Sequence, residues 1–66
     1  MKLHVDQASD ALHLLLADTE IIESEEVSPG VILDYDKDNR LVGIEILRIS
    51  ERGEAINLRE LLFQSA

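Results

Sequence analysis

Four acidic residues around one polar turn have the spacing of calcium ligands. Asp34, Asp36, Asp38 and Glu45 stand at positions 1, 3, 5 and 12 of the EF-hand loop, where oxygen ligands wrap a hard cation. Position six is Asn39 instead of the glycine that permits the tight turn of that loop. Both flanks are also rich in aliphatic residues that favour strands. The pattern therefore favours a polar hairpin tip with solvated side chains over a calcium loop.

Two histidines form the second candidate group. His4 and His13 lie in two predicted neighbouring strands, and a four-residue loop between these strands would set the imidazoles opposite each other. Opposed imidazoles can bind a transition metal or act as an acid/base couple. A zinc site normally takes at least three protein ligands, a number that only a dimer would supply here. We therefore expect surface or interface histidines.

The remaining reactive residue types form no recognisable catalytic motif. The chain has no cysteine, and none of its serines lies in a nucleophile elbow or a Ser-x-x-Lys pattern. The adjacent Glu25 and Glu26 fit a solvated acidic surface, because a chain this short has little room for a pocket that would raise a carboxyl pKa. We assign no catalytic, cofactor-binding or metal-binding residue, and the pattern favours a protein that is not an enzyme.

The elements that would position these residues are mostly strands. Alternating or continuous apolar patterns predict strands at residues 2–6, 11–17, 31–35 and 41–47, and a more polar one at 20–27 that suits a sheet edge. The two strands from Val31 to Leu47 are apolar at nearly every position and are predicted to be central.

The turns between these strands predict their register. A loop from Gln7 to Asp10 would place Val5 opposite Leu12 and Leu3 opposite Leu14, with the large apolar residues on one face. Asn39 is expected in the left-handed region of a type I turn. Gly43, inside a strong strand, is expected at a bulge or a close backbone contact.

The end of the chain has a helical pattern. Asn57 is a suitable N-cap with Glu60 three residues later, and Leu58, Leu61 and Leu62 follow the i, i+3, i+4 rule. The pattern predicts a short amphipathic C-terminal helix that packs on the sheet or on a partner.

Composition limits the size of the core and the choice of partners. The 66 residues fit one domain, spanning 1–66, and a chain this short buries a small core, so we expect a homodimer. The formal charge of −8 repels phosphate backbones and anionic lipid, which argues against nucleic acid and membrane partners. No apolar run is long enough to span a bilayer and no signal-peptide block begins the chain, so the expected location is cytoplasmic.

Two segments resemble a small prokaryotic family catalogued as domain of unknown function 2283. Asp6 to Leu16, DQASDALHLLL, is similar to the opening pattern of that family, and Gly30 to Leu47, GVILDYDKDNRLVGIEIL, resembles its most distinctive block of strand, Asp-Tyr-Asp turn and strand. Val5 and His13 stand where the family tends to have tyrosines, and Asn39 replaces the usual turn glycine. The resemblance implies a compact β-rich unit of about this length and implies no catalytic residue.

Together these patterns predict an α+β fold, a small antiparallel β-meander of four to five strands with one C-terminal helix. For function, the first hypothesis is a non-enzymatic protein-interaction or regulatory module that self-associates or engages a basic protein partner. The alternative is a small metal-binding or acid/base protein that uses the acidic hairpin tip or the His4 and His13 pair. No cofactor is predicted.

Overall fold

The computed structural model describes residues 1–55, and the side chains of residues 1–52. Five strands form one sheet, followed by a short 3-10 helix. Their bounds are β1 Lys2–Asp6, β2 Ala11–Leu15, β3 Glu23–Ser28, β4 Val31–Tyr35 and β5 Leu41–Leu47, and the 3-10 helix is Ile49–Ala55. No helix in this part of the chain is long and apolar enough to cross a membrane.

All neighbouring strands are antiparallel, in the order β1-β2-β5-β4-β3. Strands β3, β4 and β5 make a continuous meander, and the hairpin of β1 and β2 joins it by pairing β2 with β5. The predicted central position of β5 is thus confirmed, and the acidic strand β3 lies at an edge as predicted. The register of the first hairpin is also confirmed, since Val5 faces Leu12 and His4 faces His13.

The predicted α+β class is wrong. The described residues form an antiparallel sheet with one 3-10 helix and contain no α-helix. The predicted C-terminal helix begins at Asn57 and lies outside the described residues. Where the chain leaves β5, Arg48 takes a φ of 51°, and the backbone turns into the 3-10 helix without prolonging the strand.

Side-chain oxygens of aspartates organise the turns at both ends of the sheet. Asp36 Oδ1 accepts hydrogen bonds from the backbone N–H groups of Asp38 and Arg40, both at 2.9 Å, and Asn39 has the predicted left-handed φ of 60°. In the first hairpin, Asp10 accepts hydrogen bonds from the N–H and hydroxyl of Ser50. These hydrogen bonds connect the 3-10 helix to the β1–β2 turn.

The two faces of the sheet differ in chemistry. Because side chains alternate along a strand, the observed register places Leu12 beside Ile46 and Leu14 beside Ile44 on one apolar face. Among residues 1–52, the buried apolar side chains are Leu12, Val42 and Ile49. The opposite face carries the polar positions of the same strands, and the buried Asp34 lies there.

Candidate functional site

Three neighbouring strands contribute the polar cluster, which consists of His13 on β2, Asp34 on β4 and Glu45 on β5. His13 is directly opposite Glu45, and Asp34 is opposite Gly43, two residues before Glu45 on the same face. One potential ligand atom from each member lies within 4.8 Å of those from the other two. The register of β5 with both of its neighbours therefore brings the cluster together.

Asp34 is the centre of the cluster and is completely inaccessible to solvent. Its Oδ2 lies 2.9 Å from Nε2 of His13, and its Oδ1 accepts a hydrogen bond of 2.6 Å from the hydroxyl of Ser24 on β3. A buried carboxylate without partners would be strongly unfavourable, and here both oxygens are satisfied. These contacts hold the carboxylate in one orientation.

Gly43 makes the contact between His13 and Asp34 possible. The two residues come from strands on either side of β5, so their side chains must meet above the backbone of β5, about 4.8 Å from each neighbouring strand. A Cβ atom at Gly43 would lie 2.9 Å from Asp34 Oδ2 and 3.1 Å from His13 Nε2. The sequence predicted a bulge or a close backbone contact at this glycine, and the bulge is confirmed by the register shift between Asp34 and Tyr35. The close contacts at Gly43 are made by side chains.

The pKa values of the two carboxyl groups, Asp34 and Glu45, are shifted in opposite directions. Burial acts to raise the pKa of Asp34, but the hydrogen bonds from Ser24, Glu45 and His13 outweigh it and the pKa is lowered. The pKa of Glu45 is raised by burial and by the hydrogen bond and negative charge of Asp34, against the opposing effect of His13. Within the cluster, ionisation of Asp34 is thus favoured and ionisation of Glu45 is opposed.

This arrangement differs from a nucleophilic triad. Ser24 donates its hydroxyl hydrogen to Asp34, whereas an activated serine would donate to the imidazole of a general base. What the cluster offers is one imidazole nitrogen and two carboxyl groups directed at a common point. Such a set can exchange protons or hold a divalent cation.

The sequence candidates are divided between two places in the structure. His13 from the histidine pair and two of the EF-hand positions, Asp34 and Glu45, meet in the cluster. Asp36 and Asp38 instead belong to the hairpin tip, where Asp36 accepts backbone hydrogen bonds, so the four acids do not surround one point as an EF-hand requires.

His4 faces His13 across the first hairpin but is exposed, and it is not a member of the cluster. Sequence reasoning missed Ser24, which contacts Asp34 from the edge strand, and missed the role of Gly43 beneath the cluster. The available signal was a single acid in each of two otherwise apolar strands, Asp34 and Glu45, since a charged residue in a central strand needs a partner.

A second feature is the acidic edge of the sheet. All six residues of β3 are exposed, and three of them are glutamates: Glu23, Glu25 and Glu26. Two apolar side chains near its ends are exposed: Ile22, directly before the strand, at 58%, and Val27, its second-last residue, at 50% of their full accessibility. An exposed strand edge keeps backbone donors and acceptors available to another chain.

Comparison with known proteins places the chain in a family without assigning an activity. The model of the family described as "Protein of unknown function (DUF2283)" matches residues 2–50. The chain therefore belongs to this family, as the two segments from Asp6 and from Gly30 predicted. No curated protein and no solved structure matches the chain.

Proposed function

We propose that this member of the DUF2283 family is a small protein-interaction module that binds a basic partner along the β3 edge of its sheet. The observation that carries the proposal is the exposure of all six residues of β3, three of them glutamates, on a chain of formal charge −8. An extended segment of a partner can add to such an edge by backbone hydrogen bonds, and lysine or arginine side chains on it would meet the glutamates.

The ends of β3 supply apolar anchors for such a segment. Ile22 and Val27 are each at least half exposed, and Ile22 already donates its N–H to the carbonyl of Tyr35, so it extends the edge that a partner would follow. The acidic side chains explain specificity and the rate of encounter, while the backbone and the apolar ends supply contact area. A basic segment that alternates with aliphatic residues fits this edge best.

The test uses a synthetic extended peptide of alternating lysine and valine, titrated into the isotopically labelled full chain at low salt. We expect amide shifts concentrated in β3 and weaker binding at high salt, because the glutamate contribution is screened. The triple variant E23Q/E25Q/E26Q should lose binding. The control D18N/E20Q/E51Q removes the same charge from exposed positions off the edge and should retain it. Equal loss in both variants, or shifts away from β3, would overturn the proposal.

Self-association is a second candidate, favoured by the sequence of the other edge strand. If two copies of β1 pair antiparallel about His4, Lys2 of each copy faces Asp6 of the other and Leu3 faces Val5. Two copies of β3 would instead oppose glutamates. A homodimer would therefore join the sheets through β1 and leave β3 open for a partner.

Native mass spectrometry tests the dimer directly. The wild-type chain should give a dimer mass, and K2D should give a monomer, because the substituted carboxylate would face Asp6 of the other copy and repel it across the two-fold axis. K37D makes the same charge change at the hairpin tip, away from β1, and should stay dimeric. A monomeric wild type, or a dimer that K2D leaves intact, would contradict pairing through β1.

A further inference from the structure

We propose that His13, Asp34 and Glu45 bind a divalent transition-metal ion, with zinc as the ion that the donor set favours. The proposal concerns the polar face of the sheet and is independent of the partner edge at β3. Its basis is the convergence of one imidazole nitrogen and two carboxyl groups, whose potential ligand atoms lie within 4.8 Å of one another.

The type of donor selects the class of metal. Imidazole and carboxylate together suit zinc, manganese and ferrous iron, whereas calcium takes six to eight oxygen ligands and magnesium keeps most of its water. Among these candidates, zinc binds most tightly to a nitrogen and oxygen site of this kind. Three protein ligands would leave at least one position for water or an external ligand, as in zinc sites that are not purely structural.

The geometry needs only a small rearrangement of the ligand atoms. Ligand atoms on a shared zinc ion lie about 3.3 Å apart, as follows from metal–ligand distances of about 2.0–2.2 Å. The existing contact of 2.9 Å between His13 Nε2 and Asp34 Oδ2 is already near this separation. Glu45 is only partly buried, and rotation of its side chain supplies the rest of the movement.

Ser24 and Gly43 support the proposed site from outside. Ser24 donates to Oδ1 of Asp34, which fixes the carboxylate and leaves Oδ2 directed at His13. Residues that hydrogen-bond to a metal ligand in this way orient the ligand and raise the affinity of the site for the metal. Gly43 leaves open the space above β5 that any other residue would fill, and its φ is not among the positive values that require glycine. Its lack of a side chain is therefore explained by the cluster above it.

The charges of the cluster also favour a cation. With both carboxyl groups ionised and His13 neutral, the three side chains carry a net charge of −2 in a partly buried place. A divalent ion would neutralise that charge.

Calorimetric titration of the full chain with zinc chloride, after removal of metal by chelator, tests the proposal. We expect saturable binding of one ion per chain with a dissociation constant well below millimolar, and no comparable heat with magnesium. H13A and E45Q should each weaken zinc binding at least tenfold. H4A is the matched control, because His4 faces His13 from the next strand but is exposed, and it should bind as the wild type does.

A spectroscopic readout distinguishes loss of a ligand from loss of the fold. In nitrogen-correlated spectra, zinc should shift Nε2 of His13 and leave the ring of His4 unchanged, in a chain whose circular dichroism is that of the metal-free protein. The isosteric D34N keeps the packing and should abolish the shift. Absence of saturable zinc binding, or binding that H4A weakens as much as H13A does, would overturn the proposal.

Discussion

Asp34 and Gly43 face each other across β4 and β5, and the missing side chain of Gly43 lets His13 reach Asp34 above the intervening strand. The contact between His13 and Asp34 therefore depends on which residue occupies position 43 of the sheet. A glycine within a strand normally weakens it, because the residue loses more conformational freedom on folding and packs no side chain. At this position the cost is offset by the contact between His13 and Asp34, which satisfies a carboxylate whose burial would otherwise be unfavourable.

G43A should therefore destabilise the protein, although alanine in a strand otherwise lowers the entropy of the unfolded chain. The new Cβ would lie 2.9 Å from Asp34 Oδ2, so the carboxylate or the strand must move, at a cost of about 1–3 kcal/mol in the free energy of unfolding. Urea unfolding measures this cost. In a double-mutant cycle with H13A the two losses should not add, because the same contact is broken twice. If the losses in free energy of unfolding of G43A and H13A were additive, the explanation by a steric clash at the His13–Asp34 contact would be wrong.

E45Q should stabilise the metal-free protein at neutral pH. The pKa of Glu45 is raised by burial and by Asp34, so its contribution to stability is present below the pKa of the unfolded chain and is lost as pH rises through the folded pKa. Glutamine keeps a hydrogen-bond donor for Asp34 and removes the repulsion. Thermal unfolding in chelator should show a higher midpoint at pH 7 and a weaker fall in stability between mildly acidic and neutral pH.

E25Q is the control for this experiment, since it removes one negative charge from an exposed position on β3. It should leave the pH dependence of stability as it is in the wild type. A midpoint that rises equally in E25Q would mean that net charge, and not the contact with Asp34, governs the effect.

The sequence predicted the strands better than the site. Alternation and apolar runs gave β1, β4 and β5 with their observed bounds, and the loop after Asp6 gave the register of the first hairpin. These features are local, or depend on one short connection. The pairing of β2 with β5 joins residues about thirty positions apart, and no local preference encodes it.

That distant pairing explains why the cluster escaped prediction. The sequence patterns group His13 with His4, its partner in the first hairpin, and group Asp34 and Glu45 with Asp36 and Asp38 around one turn. Because β5 lies between β2 and β4, the structure keeps Asp34 with Glu45 and adds His13 to them. Ser24 could be found only from the register of the edge strand, where it faces Asp34.

S24A should weaken both the fold and the proposed metal site. The hydroxyl of Ser24 donates to Asp34 Oδ1 at 2.6 Å, and loss of a hydrogen bond to a charged group costs about 1.5 kcal/mol in the free energy of unfolding. The freed carboxylate should bind zinc about tenfold less tightly. S28A, at the exposed end of the same strand, is the control and should change neither urea unfolding nor zinc calorimetry. Zinc affinity unchanged in S24A would remove Ser24 from the site.

Substitutions of Asp36 test whether the hairpin tip and the metal cluster are independent of each other. Its Oδ1 accepts two backbone hydrogen bonds, from Asp38 and Arg40, and the residue is 8% exposed. D36A removes both acceptors and leaves two donors without this partner, so it should lower the free energy of unfolding by about 2 kcal/mol in urea unfolding. D36N retains an oxygen at the same position and should cost much less. Neither variant should change zinc affinity once folded, because Asp36 lies outside the cluster of His13, Asp34 and Glu45. If D36N weakened zinc binding as strongly as E45Q, the metal would belong to the turn, and the interpretation of Asp36 as a turn-forming residue would have to be abandoned.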